Sequence, residues 1–143
     1  MPFDQIRRPG PEGGGGQHER AINLPPTILW LIVANAAVQG VRELLGDAAD
    51  QSLVLQFGLI PETYIGDGGD WLSMIVSPFT YQFLHGGWVH LAVNMLSLAA
   101  FGVPIERALG PRRFLAFYLS AGVVAGLVHI LFYPGSADPV VGA

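Results

Sequence analysis

The stretch Phe114–Tyr133, FLAFYLSAGVVAGLVHILFY, decides the fold class of this chain. It carries no formal charge along its whole length, and its most polar member is His129. Because about 20 helical residues cover the hydrocarbon core of a bilayer, this segment is predicted to be a membrane-spanning helix. A buried helix of a soluble protein is a much weaker interpretation of an uncharged run of this length.

The composition of the whole chain agrees with a membrane protein. Of 143 residues, 51% are hydrophobic and only 13% are charged, and the mean hydropathy is +0.45. A soluble domain carries about a quarter of its residues as Asp, Glu, Lys and Arg. The absence of cysteine excludes disulfides and thiolate metal sites, and a net charge of −4 offers no basic patch for nucleic acid.

Two earlier segments are also predicted to span the membrane. The first, 27–45, is apolar from Ile28 to Val38 except for Asn35, with Gln39 and Arg42 toward its far end. The second, 88–105, contains His90 and Asn94. A buried soluble helix remains an alternative for both. Residues 1–23 are polar and rich in proline and glycine, so we expect a flexible tail there and not a secretory signal. The predicted fold class is therefore all-α and polytopic.

The basic residues predict an orientation in the membrane. The chain has no lysine, and Arg42 is the one arginine on the outer side if the three spans alternate. The other six precede the first span or lie between the second and third: Arg7, Arg8, Arg20, Arg107, Arg112 and Arg113. The positive-inside rule then places the N-terminus in the cytoplasm. The outer connection, 46–87, mixes acidic and apolar residues, which favours a membrane-associated loop over a free one.

Polar side chains that could take part in a reaction lie at the start of the second span. Gly86-Gly87 favours a helix that begins near Trp88, which puts His90 and Asn94 one turn apart on a single face. Their N–H groups are both donors and could hold an oxyanion that forms during acyl transfer. The spacing alone leaves open that the pair only bonds neighbouring helices. A metal site that includes His85 lacks a clear third ligand.

The pattern His85-x₄-His90-x₃-Asn94, preceded by Phe83-Leu84 and followed by Met95, resembles the rhomboid family of intramembrane serine proteases. The similarity continues through Gly102-x₃-Glu106-Arg107-x₂-Gly110 further along the same predicted helix. The stretch FGLIP at 57–61 also looks like that family, and the resemblance covers residues 24–143, a partial rhomboid domain.

The resemblance implies a six-helix core in which a Ser–His dyad, without a cofactor, cuts transmembrane substrates inside the bilayer. His90 and Asn94 match the oxyanion-stabilising side chains, and His85 matches a supporting histidine. A structural cluster at the cytoplasmic end of the second span is matched by Gly102, Glu106, Arg107 and Gly110. Close packing is expected at Gly122 and Gly126 in the third span. His129 matches no catalytic position and is interpreted as a packing residue.

The chain also departs from the family pattern. Gly142-Ala143 look like the first two residues of the Gly-x-Ser-Gly nucleophile turn, but the serine of that turn and the later histidine are not among these residues. We therefore expect an N-terminal half of a rhomboid protease, inactive alone, whose partners are transmembrane substrates and the lipid bilayer of a bacterial inner membrane. A non-catalytic rhomboid-like protein that binds client helices, and a small transporter or channel subunit, are the alternatives.

Overall fold

A computed structural model of the protein describes residues 23–65 and 70–142. Over these residues the chain is helical, and a single isolated β-bridge is its only extended pairing, which confirms the all-α prediction. The helices in chain order are α1 (Pro26–Leu44), α2 (Asp47–Phe57), α3 (Trp71–Thr80), α4 (Trp88–Ser97), α5 (Val103–Leu109) and α6 (Pro111–Phe132). Short 3₁₀ helices cover Pro61–Tyr64 and Tyr81–Phe83, and a π-helical turn, Leu98–Gly102, joins α4 to α5. The tail expected at 1–23 lies outside the described residues except for Asn23.

Two continuous helices are long and apolar enough to cross a membrane. They are Trp88–Leu109, which combines α4 and α5, and Pro111–Phe132, each 22 residues long. Only 11% and 17% of their apolar windows are buried inside the structure, whereas a core helix of a soluble protein is mostly buried. These exposed apolar surfaces are suited to lipid. The helix α1 lies where the first span was predicted, but it does not reach the same hydropathy, so the count of three spans stays a prediction.

The second span is longer than predicted. We expected it to end near residue 105, whereas the helix continues to Leu109. Pro104 removes a backbone donor and crowds the preceding turn, which normally interrupts an α-helix. Here the π-helical turn Leu98–Gly102 directly precedes it, and a turn of this kind lets the helix continue with a local bend.

The outer connection is more regular than a loop. It contains α2 and α3, which the sequence did not predict as helices. Asp47 and Asp50 lie in the first turn of α2, where carboxylates are favourable next to the positive end of the helix dipole. Asp70 caps α3 because its carboxylate accepts the Ser73 N–H at 3.2 Å. The position of this outer connection at the bilayer surface remains a prediction.

The small apolar core lies where α1 meets α6. Ile28 and Leu31 from α1 pack with Phe114 from the start of α6, and all three side chains are buried. Gly102 makes this contact possible, since a Cβ at that position would lie 2.8 Å from Ile28 Cδ1 and 3.2 Å from Phe114 Cζ. This glycine is therefore needed for close packing.

The two glycines of α6 receive side chains of the outer connection rather than another spanning helix. A Cβ on Gly122 would lie 2.1 Å from the carboxamide of Gln82, and one on Gly126 would lie 2.9 Å from Leu59 Cδ1. The buried Tyr81 hydroxyl donates to the Gly122 carbonyl at 2.6 Å. The expected close approach at these glycines is present, and it ties the residues ahead of α4 to the third span.

We predict that Gly122→Ala lowers the stability of the protein by about 1–3 kcal/mol, the usual cost of overpacking a filled site. Gln82 is buried and bonded to the Pro78 and Leu119 carbonyls, so it cannot move aside freely. Thermal unfolding in detergent measures the loss. The control Gly40→Ala lies in α1 with nothing within 4 Å and should stabilise slightly. Equal unfolding temperatures for the two variants would contradict the packing.

Candidate functional site

The helix α4 begins where Gly86-Gly87 predicted. Gly87 is the N-cap residue with φ of +140°, a conformation that side-chain-bearing residues rarely adopt. Trp88 is the first helical residue, so His90 and Asn94 are separated by one turn and lie on one face of α4. Both project from the first two turns of the span, close to the residues that precede it.

The imidazole of His90 has defined neighbours on both nitrogens. The Gly86 backbone N–H donates to Nδ1 at 3.3 Å. Because Nδ1 accepts, the proton of the neutral ring is on Nε2, which is then a donor. On that side the chain passes at Gly142, where a Cβ would lie 3.1 Å from Nε2 and 2.8 Å from Cε1. The N–H of His90 therefore faces the backbone around Gly142.

Asn94 provides a second free donor. Its side-chain amide nitrogen is buried and has no hydrogen-bond partner within the described residues. Leaving a buried donor unpaired costs about 1–3 kcal/mol, so such a group is unusual unless a ligand or another part of the protein supplies the acceptor. Asn94 is half-buried, whereas His90 is exposed at the surface of the described part of the chain.

His85 lies behind His90. Its side chain is 1% exposed, and the two rings are 5.3 Å apart in an edge-to-face arrangement. Nδ1 of His85 is 3.3 Å from the Phe83 carbonyl oxygen, which can only accept, so Nδ1 carries the proton. Nε2 has no partner in the described part of the chain. Burial lowers the pKa of His85 below its ordinary value of 6.5, and the nearby His90 and Arg42 charges lower it further.

This shift predicts a pH-dependent stability. An unfolded chain protonates His85 as the pH falls below about 6.5, whereas the folded protein keeps it neutral to a lower pH. The unfolded state then binds more protons, so the unfolding temperature should fall as the pH drops from 6.5 toward the folded pKa. His85→Gln should remove part of that decline in thermal melts, and His129→Gln is the matched control. A decline that is unchanged in His85→Gln would contradict the shift.

The C-terminal segment reaches the site through the outer connection. Leu59 and Val140 form a two-way backbone bridge, with N–H to carbonyl distances of 3.2 and 2.8 Å. Two residues later the Gly142 N–H donates to the Tyr81 carbonyl at 2.9 Å. Gly58 fits closely under this segment, since a Cβ there would lie 3.2 Å from Pro139 Cβ. Sequence reasoning noted the FGLIP stretch but missed this contact, which joins residues far apart in the chain.

The remaining predicted residues lie elsewhere. Glu106 is twelve residues beyond Asn94 on the same continuous helix, about 18 Å along its axis, and is 5% exposed. Next to it the Arg107 side chain donates to the Asn23 carbonyl at 3.2 Å, and Gly110 ends α5 with φ of +79°. The structure therefore separates this cluster from His90 and Asn94. Ala143 lies outside the described residues.

Comparison with known proteins gives matches to one family. The family model described as "Rhomboid domain" matches residues 73–143, which include α4 and the segment at Gly142. The rhomboid protease GluP of Bacillus subtilis is 30% identical over 122 residues, which are 85% of this chain and 23% of that protein. The chain belongs to the rhomboid family. Its fold class is that of a polytopic, integral membrane protein, as the family relatives are.

Other rhomboid relatives show the range of the family. The putative rhomboid protease YdcA of Bacillus subtilis is 30% identical over 107 residues, or 74% of this chain and 50% of that protein. "Inactive RHOMBOID-like protein 8" of Arabidopsis thaliana is 36% identical over 53 residues, 37% of this chain and 15% of that protein. The chain thus spans about a quarter to a half of the length of the bacterial relatives it matches. No solved structure gives a significant match.

Proposed function

We propose that this chain supplies the oxyanion-stabilising part of a rhomboid serine endopeptidase that cleaves transmembrane substrates within the bilayer. The observation that carries the proposal is the position of Gly142. Its backbone lies against the donor side of His90, and in the resemblance to the family pattern it matches the first residue of the nucleophile turn. Its φ of +78° suits the tight turn that such a motif needs.

The two free donors fit the chemistry of peptide hydrolysis. When a nucleophile attacks the scissile carbonyl, its oxygen becomes negatively charged. We propose that the Nε2–H of His90 and the amide of Asn94 donate to that oxygen, which is supported by the Gly86 bond to the other ring nitrogen of His90 and by the unpaired amide of Asn94. Fixed donors of this type stabilise the transition state more than the ground state, because the charge appears only during reaction.

We propose that the nucleophile and the base lie outside these 143 residues. No serine hydroxyl within the described residues bonds a histidine. Ser97 and Ser120 donate to carbonyls of their own helices, and Ser77 bonds the Tyr64 hydroxyl. These bonds support the proposal that the dyad includes residues beyond the described ones, with Gly142-Ala143 as the start of a Gly-x-Ser-Gly turn.

We further propose an N-terminus in the cytoplasm and a site at the outer side of a bacterial inner membrane. The arginine distribution supports this orientation. The Leu59–Val140 bridge supports a common side for the connection before α4 and the segment after α6, because it joins the two.

A non-catalytic rhomboid-like protein that binds client helices is the second candidate. It is favoured by the similarity to a relative described as inactive. It does not explain an amide donor left unpaired inside the protein at Asn94. A binding protein would gain stability by replacing this residue with an apolar one.

The experiment uses the complete coding sequence that contains this chain. We expect the codons after Ala143 to encode Ser-Gly and a later spanning segment to contain a histidine. The purified protein in proteoliposomes should cleave a single-span substrate whose helix is interrupted by small or helix-breaking residues near its outer end. Mass spectrometry of the products locates the cut. A protein that binds this substrate without cutting it would support the second candidate and overturn the first.

A further inference from the structure

Arg42 holds three parts of the outer side together. It lies in the last turn of α1, and its side chain is only 10% exposed. Its guanidinium donates two hydrogen bonds to the Asp50 carboxylate of α2, Nε to Oδ1 at 2.7 Å and Nη2 to Oδ2 at 3.0 Å. The remaining nitrogen, Nη1, donates to the His85 carbonyl oxygen. A bidentate pair of this kind fixes the plane of the guanidinium.

The carbonyl that Arg42 contacts belongs to the peptide group that orients His90. The His85 carbonyl and the Gly86 N–H are the two ends of one planar peptide unit. That same Gly86 N–H donates to Nδ1 of His90 at 3.3 Å. A charged donor on the carbonyl polarises the peptide and makes its N–H a better donor, since hydrogen bonds in a chain strengthen one another. The bonds therefore run in sequence from Asp50 through Arg42 and the peptide to His90.

We propose that Arg42 is a positioning residue that fixes the ring orientation and tautomer of His90 through the His85–Gly86 peptide. The chain of bonds keeps Nδ1 as an acceptor and Nε2 as the N–H that faces Gly142. The catalytic meaning of this role rests on the proposed function, but the tautomer itself does not.

Spectroscopy tests the tautomer without any protease activity. In the complete protein, labelled with ¹⁵N on the histidine rings, the His90 signal is assigned by its loss in His90→Gln. At a pH where the ring is neutral, we expect the proton of wild-type His90 on Nε2. Arg42→Gln should shift the ring toward a mixture of the two tautomers. Should Arg42→Gln not fold, Asp50→Asn releases the guanidinium without removing it and should shift the ring in the same direction. An unchanged His90 spectrum in a folded variant of either kind would overturn the proposal.

Kinetics then separate positioning from a purely structural ion pair. Arg42→Gln should lower kcat about tenfold with little change in KM, which is less than the loss expected when a donor itself is removed. In a His90→Ala background, Arg42→Gln should cause no further loss of kcat, because both substitutions act through the same ring. Arg42→Lys keeps the charge and should restore part of kcat. Arg112→Gln, an exposed arginine at the start of α6, is the matched control.

The two tests fail in different ways. If the complete protein cleaves no substrate, the proposed function fails, and the ¹⁵N spectra still decide the role of Arg42. If the protein is active but Arg42→Gln lowers kcat equally in wild-type and His90→Ala backgrounds, Arg42 acts independently of His90 and the inference is wrong.

Discussion

Asn94→Ala should lower kcat for cleavage of a transmembrane substrate by about 10²–10³-fold, the usual cost of losing one oxyanion donor. Its amide nitrogen is buried and unpaired in the described structure, so no existing bond is lost. Truncation should therefore leave the protein folded. Because the interaction forms only in the transition state, kcat and kcat/KM should fall together and KM should change little.

Two controls make the Asn94 result interpretable. Asn23→Ala makes the same substitution at an exposed residue and should leave kcat unchanged. Asn94→Asp keeps the shape but replaces the donor with a carboxylate, so it should be at least as inactive as the alanine variant. An Asn94→Ala protein with wild-type turnover would remove this residue from the oxyanion site.

Gly142→Ala should lower kcat about 10²-fold, the loss typical of misplacing a catalytic group by about 1 Å. Two effects combine at this position. The φ of +78° is unfavourable for alanine, and the added methyl would lie 2.8 Å from His90 Cε1, closer than side-chain atoms tolerate. The ring or the chain must then move, and the donor moves with it.

The control for this effect lies in the same segment. Gly135→Ala adds the same methyl group where nothing lies within 4 Å, so its kcat should match wild type. Thermal melts should show both variants folded, because Gly142 lies outside the core formed by α1 and α6. Equal turnover in the two variants would mean that Gly142 is not in contact with His90.

Local chemistry explains which parts of the fold could be predicted. The spans at α4–α5 and α6 follow from long apolar runs, and the start of α4 follows from the conformational freedom of Gly87. The helices α2 and α3 were missed because the connection that contains them mixes acidic and apolar residues and was interpreted as a loop, and α2 has no buried residue. The helix that carries the second predicted span continues beyond residue 105 to Leu109, and the π-helical turn ahead of Pro104 was not visible in the sequence.

At the candidate site, too, local features could be predicted from the sequence and long-range contacts could not. The spacing of His90 and Asn94 on one helix turn is a local property, so the sequence could place them together. The approach of Gly142 depends on the Leu59–Val140 bridge, which joins residues 81 positions apart in the chain. The contact from Arg42 to the His85 carbonyl spans 43 positions. Contacts of this range depend on how the elements pack, and one sequence read alone does not specify that packing.

We propose that His90 and Asn94 hold the oxygen of the scissile carbonyl. The most direct measurement is a structure of the complete protein with a covalent phosphonate bound to its nucleophile, because the phosphonyl oxygen occupies the place of the oxyanion. We predict that this oxygen lies within about 2.7–3.1 Å of both His90 Nε2 and Asn94 Nδ2. An oxygen bonded to other groups, with both side chains turned away, would mean that His90 and Asn94 do not form the oxyanion site.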